Sequence, residues 1–99
     1  MQINFYPEAL DEYSESLTWY RQRSDYAATK FESAVADAVN RIAADPNRFV
    51  LVEGGARACS MGRLPYLIIF YIEPEFVSIA AIAHQSRQPG YWLSRRAPE

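Results

Sequence analysis

Cysteine, lysine and histidine are scarce in this sequence, and the scarcity excludes several classes of protein. The 99 residues include 1 cysteine, Cys59, which excludes an intrachain disulfide scaffold and a cysteine-based zinc site. Lys30 is the single lysine, so arginine supplies the other basic side chains. With a net charge of −2, the composition argues against a protein that binds nucleic acid through broad electrostatic attraction.

Long apolar segments are missing as well. The longest apolar run, 67–72, has the length of a strand, whereas a membrane-spanning helix needs roughly 18–20 apolar residues. The first residues lack the basic start, apolar middle and cleavage site of a signal peptide. An apolar fraction of 49% is that of an ordinary globular protein, and we expect residues 1–99 to form one domain.

The first half of the chain predicts a short strand followed by two helices. Residues 2–6 alternate in polarity, as a strand does, and Pro7 is a favoured first residue of a helix. Apolar residues at spacings of three and four predict a helix to about Arg23 and another over 26–44. Because the gap between them is short, we expect an antiparallel helical hairpin. The apolar residues expected between this hairpin and one face of a sheet are Leu10, Tyr13, Leu17, Phe31, Val35, Val39 and Ile42.

The second half of the chain predicts a sheet. Strand candidates lie at 50–52, 57–61, 64–72 and 76–83, and a turn at 73–75 is short enough to make its two strands antiparallel. The tail, 85–99, has no clear periodicity. The expected fold class is α+β in the order βααβββ: an amino-terminal strand, the helical hairpin, then a 3–4-stranded antiparallel sheet.

The strand predicted at 64–72 is apolar on both of its faces, although helices on one side can cover only one of them. The second face therefore needs a cover. Two covers are open from the residues alone: Tyr91 and Trp92 of the tail, or another chain, either a partner or a second copy.

Three stretches carry a resemblance to a known family. They are PEALDEYSESLTWY at 7–20, GRLPYLIIFY at 62–71 and AIAHQSRQPGYW at 81–92. The pattern H-x-x-R-x-P-x-Y-W after an apolar strand, which begins at His84, is the most specific of them. On these motifs the chain resembles the RelE/ParE superfamily of toxins from type II toxin–antitoxin systems, often called plasmid stabilisation proteins.

The resemblance implies a bacterial, cytoplasmic toxin that acts without a cofactor or a metal and has no membrane partner. A cognate antitoxin would hold it inactive by wrapping it with an extended or helical segment, and growth would be inhibited when the antitoxin is lost. A homodimer and a toxin–antitoxin hetero-oligomer are the open alternatives for its assembly. The expected antitoxin-binding residues are Arg57, Arg63, Tyr66 and Tyr71.

The superfamily divides by target, and the division leaves two mechanisms open. ParE-like members inhibit DNA gyrase without catalysis, whereas RelE-like members cleave mRNA on the ribosome without a metal. Cleavage needs a base, an acid and cations for the phosphate, and the candidate catalytic residues are Arg63, His84, Arg87 and Tyr91, with Glu53 as another base. A toxin-like domain that has lost its activity and only binds antitoxin is a third alternative.

The composition favours the ParE-like mechanism. Residues 50–56 contain no lysine, whereas some ribosome-cleaving members carry a lysine-rich element before the sheet, and the sequence pI is about 5.4. The expected mechanism is therefore inhibition of gyrase, with recognition spread over the surface of the tail. The target-binding residues expected there are Arg87, Tyr91, Trp92, Arg95 and Arg96.

Overall fold

A computed structural model describes residues 1–96 and has the predicted α+β architecture. The bounds of its elements are β1 Gln2–Phe5, α1 Pro7–Arg23, α2 Asp25–Ala44, β2 Val50–Leu51, β3 Arg57–Ser60, β4 Tyr66–Ile72 and β5 Phe76–His84. The last three residues of the predicted tail, 97–99, lie outside the described residues.

The helical hairpin forms where the sequence predicts it. Pro7 begins α1, where its missing N–H leaves no helical hydrogen bond unmade. Ser24 then separates the helices, and its hydroxyl accepts a 2.9 Å hydrogen bond from the Ala27 N–H at the start of α2. Asp45 ends α2 before Pro46, because the residue before a proline disfavours helical geometry.

The sheet has one more strand than was predicted. β2 to β5 form an antiparallel meander, as expected, and β1 adds a fifth strand that runs parallel to β5. The strand order is β1-β5-β4-β3-β2, so β5 is an inner strand and β1 lies at an edge. The helical hairpin carries the chain from β1, at one edge of the sheet, to β2, at the other edge, and the meander then returns to place β5 beside β1.

Most of the predicted core lies between the hairpin and one face of the sheet. Phe31, Val35 and Ile42 are buried, and Tyr13, Leu17 and Val39 are partly buried against the same cluster. The prediction is wrong for Leu10, which is 50% exposed. Ala9, one position earlier on α1, is buried in its place, because the helix turns its smallest side chain toward the close contact with the sheet.

The second sheet face is covered by the chain's own tail. Trp92, which is only 6% exposed, packs there with alanines of β3 and β5 and with Ile69 and Tyr71 of β4. A bulge between β4 and β5 brings both Ala80 and Ala81 to this face, and their small side chains leave space for the indole. Of the two covers that the sequence left open for this face, the structure shows the tail.

Candidate functional site at the end of β5

A groove lies where β5 ends and the tail begins. Its volume is about 260 Å³, and it brings together three of the four predicted catalytic residues, His84, Arg87 and Tyr91, along with the alternative base Glu53. The fourth, Arg63, lies in the β3–β4 loop and lines a different cavity, near the start of α2. The remaining lining residues are Val52, Leu67, Ala83, Gln85, Gln88, Pro89 and Trp92.

Beside this groove, the Glu12 carboxylate of α1 binds two polar side chains of the tail, those of Tyr91 and Arg95. It accepts a 2.6 Å hydrogen bond from the Tyr91 hydroxyl and two hydrogen bonds of 2.9 Å from the Arg95 guanidinium. The Glu12 and Arg95 side chains are each 13% exposed, so the pair is largely withdrawn from water. The tail is thus fastened to the first helix by a bidentate ion pair, the strongest geometry available to arginine.

The same ion pair completes the hydrogen bonding of β5. β1 stops at Phe5, opposite Ile79, so the next part of β5 has no strand on that side. There the Ile82 N–H donates to Glu12 at 3.0 Å, and Arg95 donates to the carbonyl of Ala80 at 2.9 Å. Buried backbone groups need partners, and here two side chains substitute for a missing strand.

The environment of Glu12 shifts two pKa values in opposite directions. Burial alone would raise the pKa of Glu12, but hydrogen bonds from Arg95, Tyr91 and the Ile82 N–H outweigh it and hold that pKa below its usual value. Burial, and then the hydrogen bond to the Glu12 carboxylate, raises the pKa of Tyr91 well above that of a free phenol. Tyr91 is therefore a poor proton donor, which weighs against its predicted role as a general acid.

Arg87 is the most accessible of the predicted tail cations. Its side chain is 52% exposed, it lies 3.9 Å from the Glu12 carboxylate, and its guanidinium stacks 3.9 Å from the centre of the Tyr91 ring. Of the residues that line the groove in the described chain, Arg87 is the one arginine or lysine. A phosphate in the groove would meet a single strong cation, itself close to a carboxylate.

His84 is held by the turn that follows β5. Its Nδ1 accepts a 3.0 Å hydrogen bond from the Ser86 N–H and lies 2.8 Å from the Ser86 hydroxyl. An acceptor Nδ1 places the proton on Nε2 in the neutral ring. The ring also packs edge-on against Tyr66, its partner across β4 and β5, with the ring centres 5.1 Å apart.

A second ion pair fastens the far end of the tail. Arg96 donates to the Glu73 carboxylate at 3.0 and 3.1 Å and lies over the ring of Tyr71, 4.1 Å from its centre. The hydrogen bonds of Arg96 hold the pKa of Glu73 below its usual value. Four of the five predicted target-binding residues are thus engaged in holding the tail: Tyr91, Trp92, Arg95 and Arg96.

The predicted antitoxin-binding residues do not share one open surface, because the sheet face that the helices leave uncovered is covered by the tail. Tyr71 is buried beneath the tail, and Tyr66 is buried on the opposite face, among the residues of the hairpin core. Arg57 donates to the backbone carbonyls of Asn47 and Phe49. Arg63 alone of the four predicted residues has an exposed side chain.

Glu12 is the residue of this region that sequence analysis missed. As an acid in the opening turns of a helix, it is explained by the helix dipole alone, and nothing local marks it as different from Glu8 or Asp11. Its partners lie 70 to 83 residues further along the chain. The arginines that follow the last strand, Arg87, Arg95 and Arg96, are the one sequence signal that a buried acidic partner lies elsewhere in the chain.

The lowered pKa values of Glu12 and Glu73 predict loss of stability in acid. A carboxyl group whose pKa is lower in the folded chain contributes stability above its unfolded pKa, roughly 4.3, and that contribution disappears as pH falls through the folded value. We therefore expect the free energy of unfolding to fall steadily below about pH 4. Urea denaturation of wild type and Glu12→Ala from pH 7 to pH 3 tests this, since the two curves should converge. Parallel curves would show that Glu12 carries no such linkage.

The described residues contain neither a membrane-spanning helix nor a cluster of side chains suited to metal binding. No helix within residues 1–96 combines the length and apolarity needed to cross a bilayer. In the same range, no group of three or more histidine, cysteine, aspartate or glutamate side chains is arranged to hold a metal ion.

Comparisons with known proteins agree with this fold. A family model described as the ParE toxin of type II toxin–antitoxin system, parDE, matches residues 3–89. Among solved structures, a chain of the chromosomal ParDE TA system from P. aeruginosa is similar, with a TM-score of 0.64 and 19% identity. The match covers 85% of this chain and 95% of that one. A search of the curated proteins finds no match.

Proposed function

Because the chain belongs to the ParE toxin family of type II toxin–antitoxin systems, we propose that it inhibits DNA gyrase by binding to it. The proposal includes a cognate antitoxin that neutralises the toxin and a site of action in the bacterial cytoplasm, where the family's gyrase target lies. No bond is made or broken by the toxin in this mechanism, so its effect depends on the affinity of a surface.

The ion pair of Glu12 is the observation that carries the non-catalytic proposal. Metal-free cleavage of RNA needs a proton donor, a base and several cations around the phosphate. In the groove the Tyr91 hydroxyl is bound to Glu12, Arg95 is withdrawn into the same ion pair, and Arg63 lies in another cavity. His84, Arg87 and Glu53 remain, which leaves one strong cation beside two carboxylates, an electrostatic environment that opposes phosphate binding.

The antitoxin fits a different surface from the one that sequence analysis indicated. An apolar groove of about 410 Å³ runs between α1, α2 and β1 and is lined by Phe5, Leu10, Tyr13, Val35 and Val39, with Glu32 and Asn40 at its rim. Half of the Leu10 side chain is exposed there. An amphipathic helix or extended segment of the antitoxin would bury these side chains, because burial of apolar area is the main source of affinity at such grooves.

A paired assay of the purified toxin tests the proposed target. One arm measures inhibition of gyrase supercoiling and the other measures cleavage of mRNA bound to ribosomes. We expect inhibition in the first arm and intact mRNA in the second. Cleaved mRNA together with unaffected supercoiling would reject gyrase inhibition and establish the endonuclease.

Substitution of His84 separates the two mechanisms within the same protein. If toxicity is surface recognition, His84→Ala should retain growth arrest to within a few-fold, because no proton transfer depends on the ring. If the toxin is a nuclease, loss of its general acid or base should reduce cleavage about 100- to 10,000-fold. Growth arrest on induced expression is the measurement, with equal expression of the variant and wild type as the control. An all-or-none loss at His84 while antitoxin binding survives would contradict the proposal.

A further inference from the structure

The tip of the helical hairpin carries an open cavity that is separate from the apolar groove and the β5 groove. Its volume is about 410 Å³, and it lies between the start of α2 and the β3–β4 loop. Apolar and aromatic atoms form most of its wall, and two cationic side chains stand at its margin. The lining residues are Tyr20, Tyr26, Ala27, Lys30, Ala34, Met61, Arg63 and Leu64, which we call the tip surface.

The cations of the tip surface have no carboxylate partners in the described part of the chain. Lys30 and Arg63 are exposed, and within residues 1–96 neither lies at ion-pair distance from an acidic side chain. The tail arginines differ, since Arg95 and Arg96 are each paired with a glutamate. Two cationic side chains without a carboxylate at ion-pair distance in residues 1–96 thus lie together at one apolar cavity, which suits this end of the hairpin to an acidic partner.

One of the two aromatic side chains of the tip surface is unusually accessible. Tyr26 is 72% exposed, and the Lys30 ammonium lies 5.5 Å from the centre of its ring. Trp19 of α1 lies outside the tip surface but packs against Tyr20, which belongs to it. Trp19 is 49% exposed, and the Arg23 guanidinium stacks 3.3 Å from the centre of its indole. Tryptophan, tyrosine and arginine are the residues that contribute most to the affinity of protein interfaces.

We infer that the tip surface binds an acidic patch of the toxin's target protein, an inference that rests on the proposed function. A carboxylate of the target would pair with Lys30 and Arg63, and an apolar side chain beside it would fill the cavity against Tyr20, Met61 and Leu64. Complementary charge at the margin accelerates encounter and fixes the register, while burial of the apolar side chain supplies affinity.

The chemistry of the surfaces distinguishes this partner from the alternatives. The apolar groove of α1 and α2 has a carboxylate, Glu32, at its rim and no cation among its lining residues, so it suits an apolar antitoxin segment. The tip surface has the opposite charge. Nucleic acid is disfavoured as its occupant, because such binding needs many phosphate contacts and an acidic chain would repel the rest of the backbone.

Charge reversal at the tip surface tests the inference. The variants are Lys30→Glu and Arg63→Glu, and the matched control is Arg48→Glu, an exposed residue outside the tip surface that undergoes the same change of charge. Each is assayed for the concentration that half-inhibits supercoiling and for co-purification with the antitoxin. We expect the tip variants to need about tenfold more toxin or higher, since like charges facing each other across an interface are strongly unfavourable. Arg48→Glu should match wild type.

Every outcome of this assay bears on the inference. Loss of inhibition with retained antitoxin binding supports it, whereas inhibition equal to that of Arg48→Glu overturns it. Simultaneous loss of inhibition and antitoxin binding also overturns it, because the surface would then serve the fold or the antitoxin. If wild type leaves supercoiling unaffected, gyrase inhibition fails as the function, and growth arrest by the same variants decides whether the tip surface meets another target. If the wild-type protein neither inhibits supercoiling nor arrests growth, both the proposed function and the inference about the tip surface are rejected.

Discussion

Glu12→Ala is expected to lower the free energy of unfolding by about 3–5 kcal/mol. The change leaves the Arg95 guanidinium largely buried without a counter-ion, and it removes the acceptor for the Tyr91 hydroxyl and the Ile82 N–H. Removing one partner of a buried ion pair lowers the free energy of unfolding by more than the intact pair contributes to it, because the remaining buried charge has neither water nor a counter-ion. Urea denaturation at pH 7 measures the change.

Glu15→Ala is the matched control for this substitution. Glu15 lies on the same helix three residues later, and its side chain is exposed. Its replacement should change the free energy of unfolding by no more than about 0.5 kcal/mol. Equal effects at the two positions would show that the tail is not fastened through Glu12. Tyr91 would then again be a candidate proton donor.

Trp92→Ala is expected to be comparably destabilising, by about 3–5 kcal/mol. The indole is the centre of the cluster on the second sheet face, so its removal exposes Ile69 and a surface of alanines to water. Small domains have total stabilities of roughly 5–15 kcal/mol, so we expect the variant to retain little of its stability at 37 °C. Trp19→Ala, which removes a half-exposed tryptophan, is the control and should have a much smaller effect.

Trp92→Phe separates packing from hydrogen bonding at the same position. Within the described residues, the Trp92 Nε1 is buried without a hydrogen-bond partner, so losing the N–H removes an unsatisfied donor. We expect Trp92→Phe to retain most of the stability that Trp92→Ala loses. A small effect of Trp92→Ala itself would mean that the tail does not cover the sheet, and the sheet face would again become a candidate site for the antitoxin.

Local chemistry explains how much of the fold could be predicted. The hairpin was predictable because Pro7, Ser24 and the pair at 45–46 act within a turn or two of where they occur. The pairing of β1 with β5 was not, because it joins residues more than 70 positions apart and depends on where the crossover helices place the first strand. Leu10 was misplaced for a related reason, since a difference of one residue in helix rotation exchanges it with Ala9.

The candidate site divides in the same way. Its residue types and the family they indicate were evident from the motif that begins at His84, and three of the four predicted catalytic residues line one groove. The His84 ring, however, packs against Tyr66 and also lines a cavity beside α1. The chemistry available to the tail side chains depends on their hydrogen bonds to Glu12, which lies near the other end of the sequence.

By itself, then, the sequence determined the fold class, the helical hairpin, the antiparallel meander and the resemblance to toxins, since periodicity, turn residues and motifs are properties of neighbouring residues. The tertiary structure alone decided that the tail covers the second sheet face and that two of its arginines, Arg95 and Arg96, are paired with Glu12 and Glu73. It also decided that Lys30 and Arg63 line one cavity with no acidic side chain of residues 1–96 at ion-pair distance. The physical reason is that a charge becomes available or unavailable to a partner only through its distance from opposite charges, and those distances are set by the packing of remote segments.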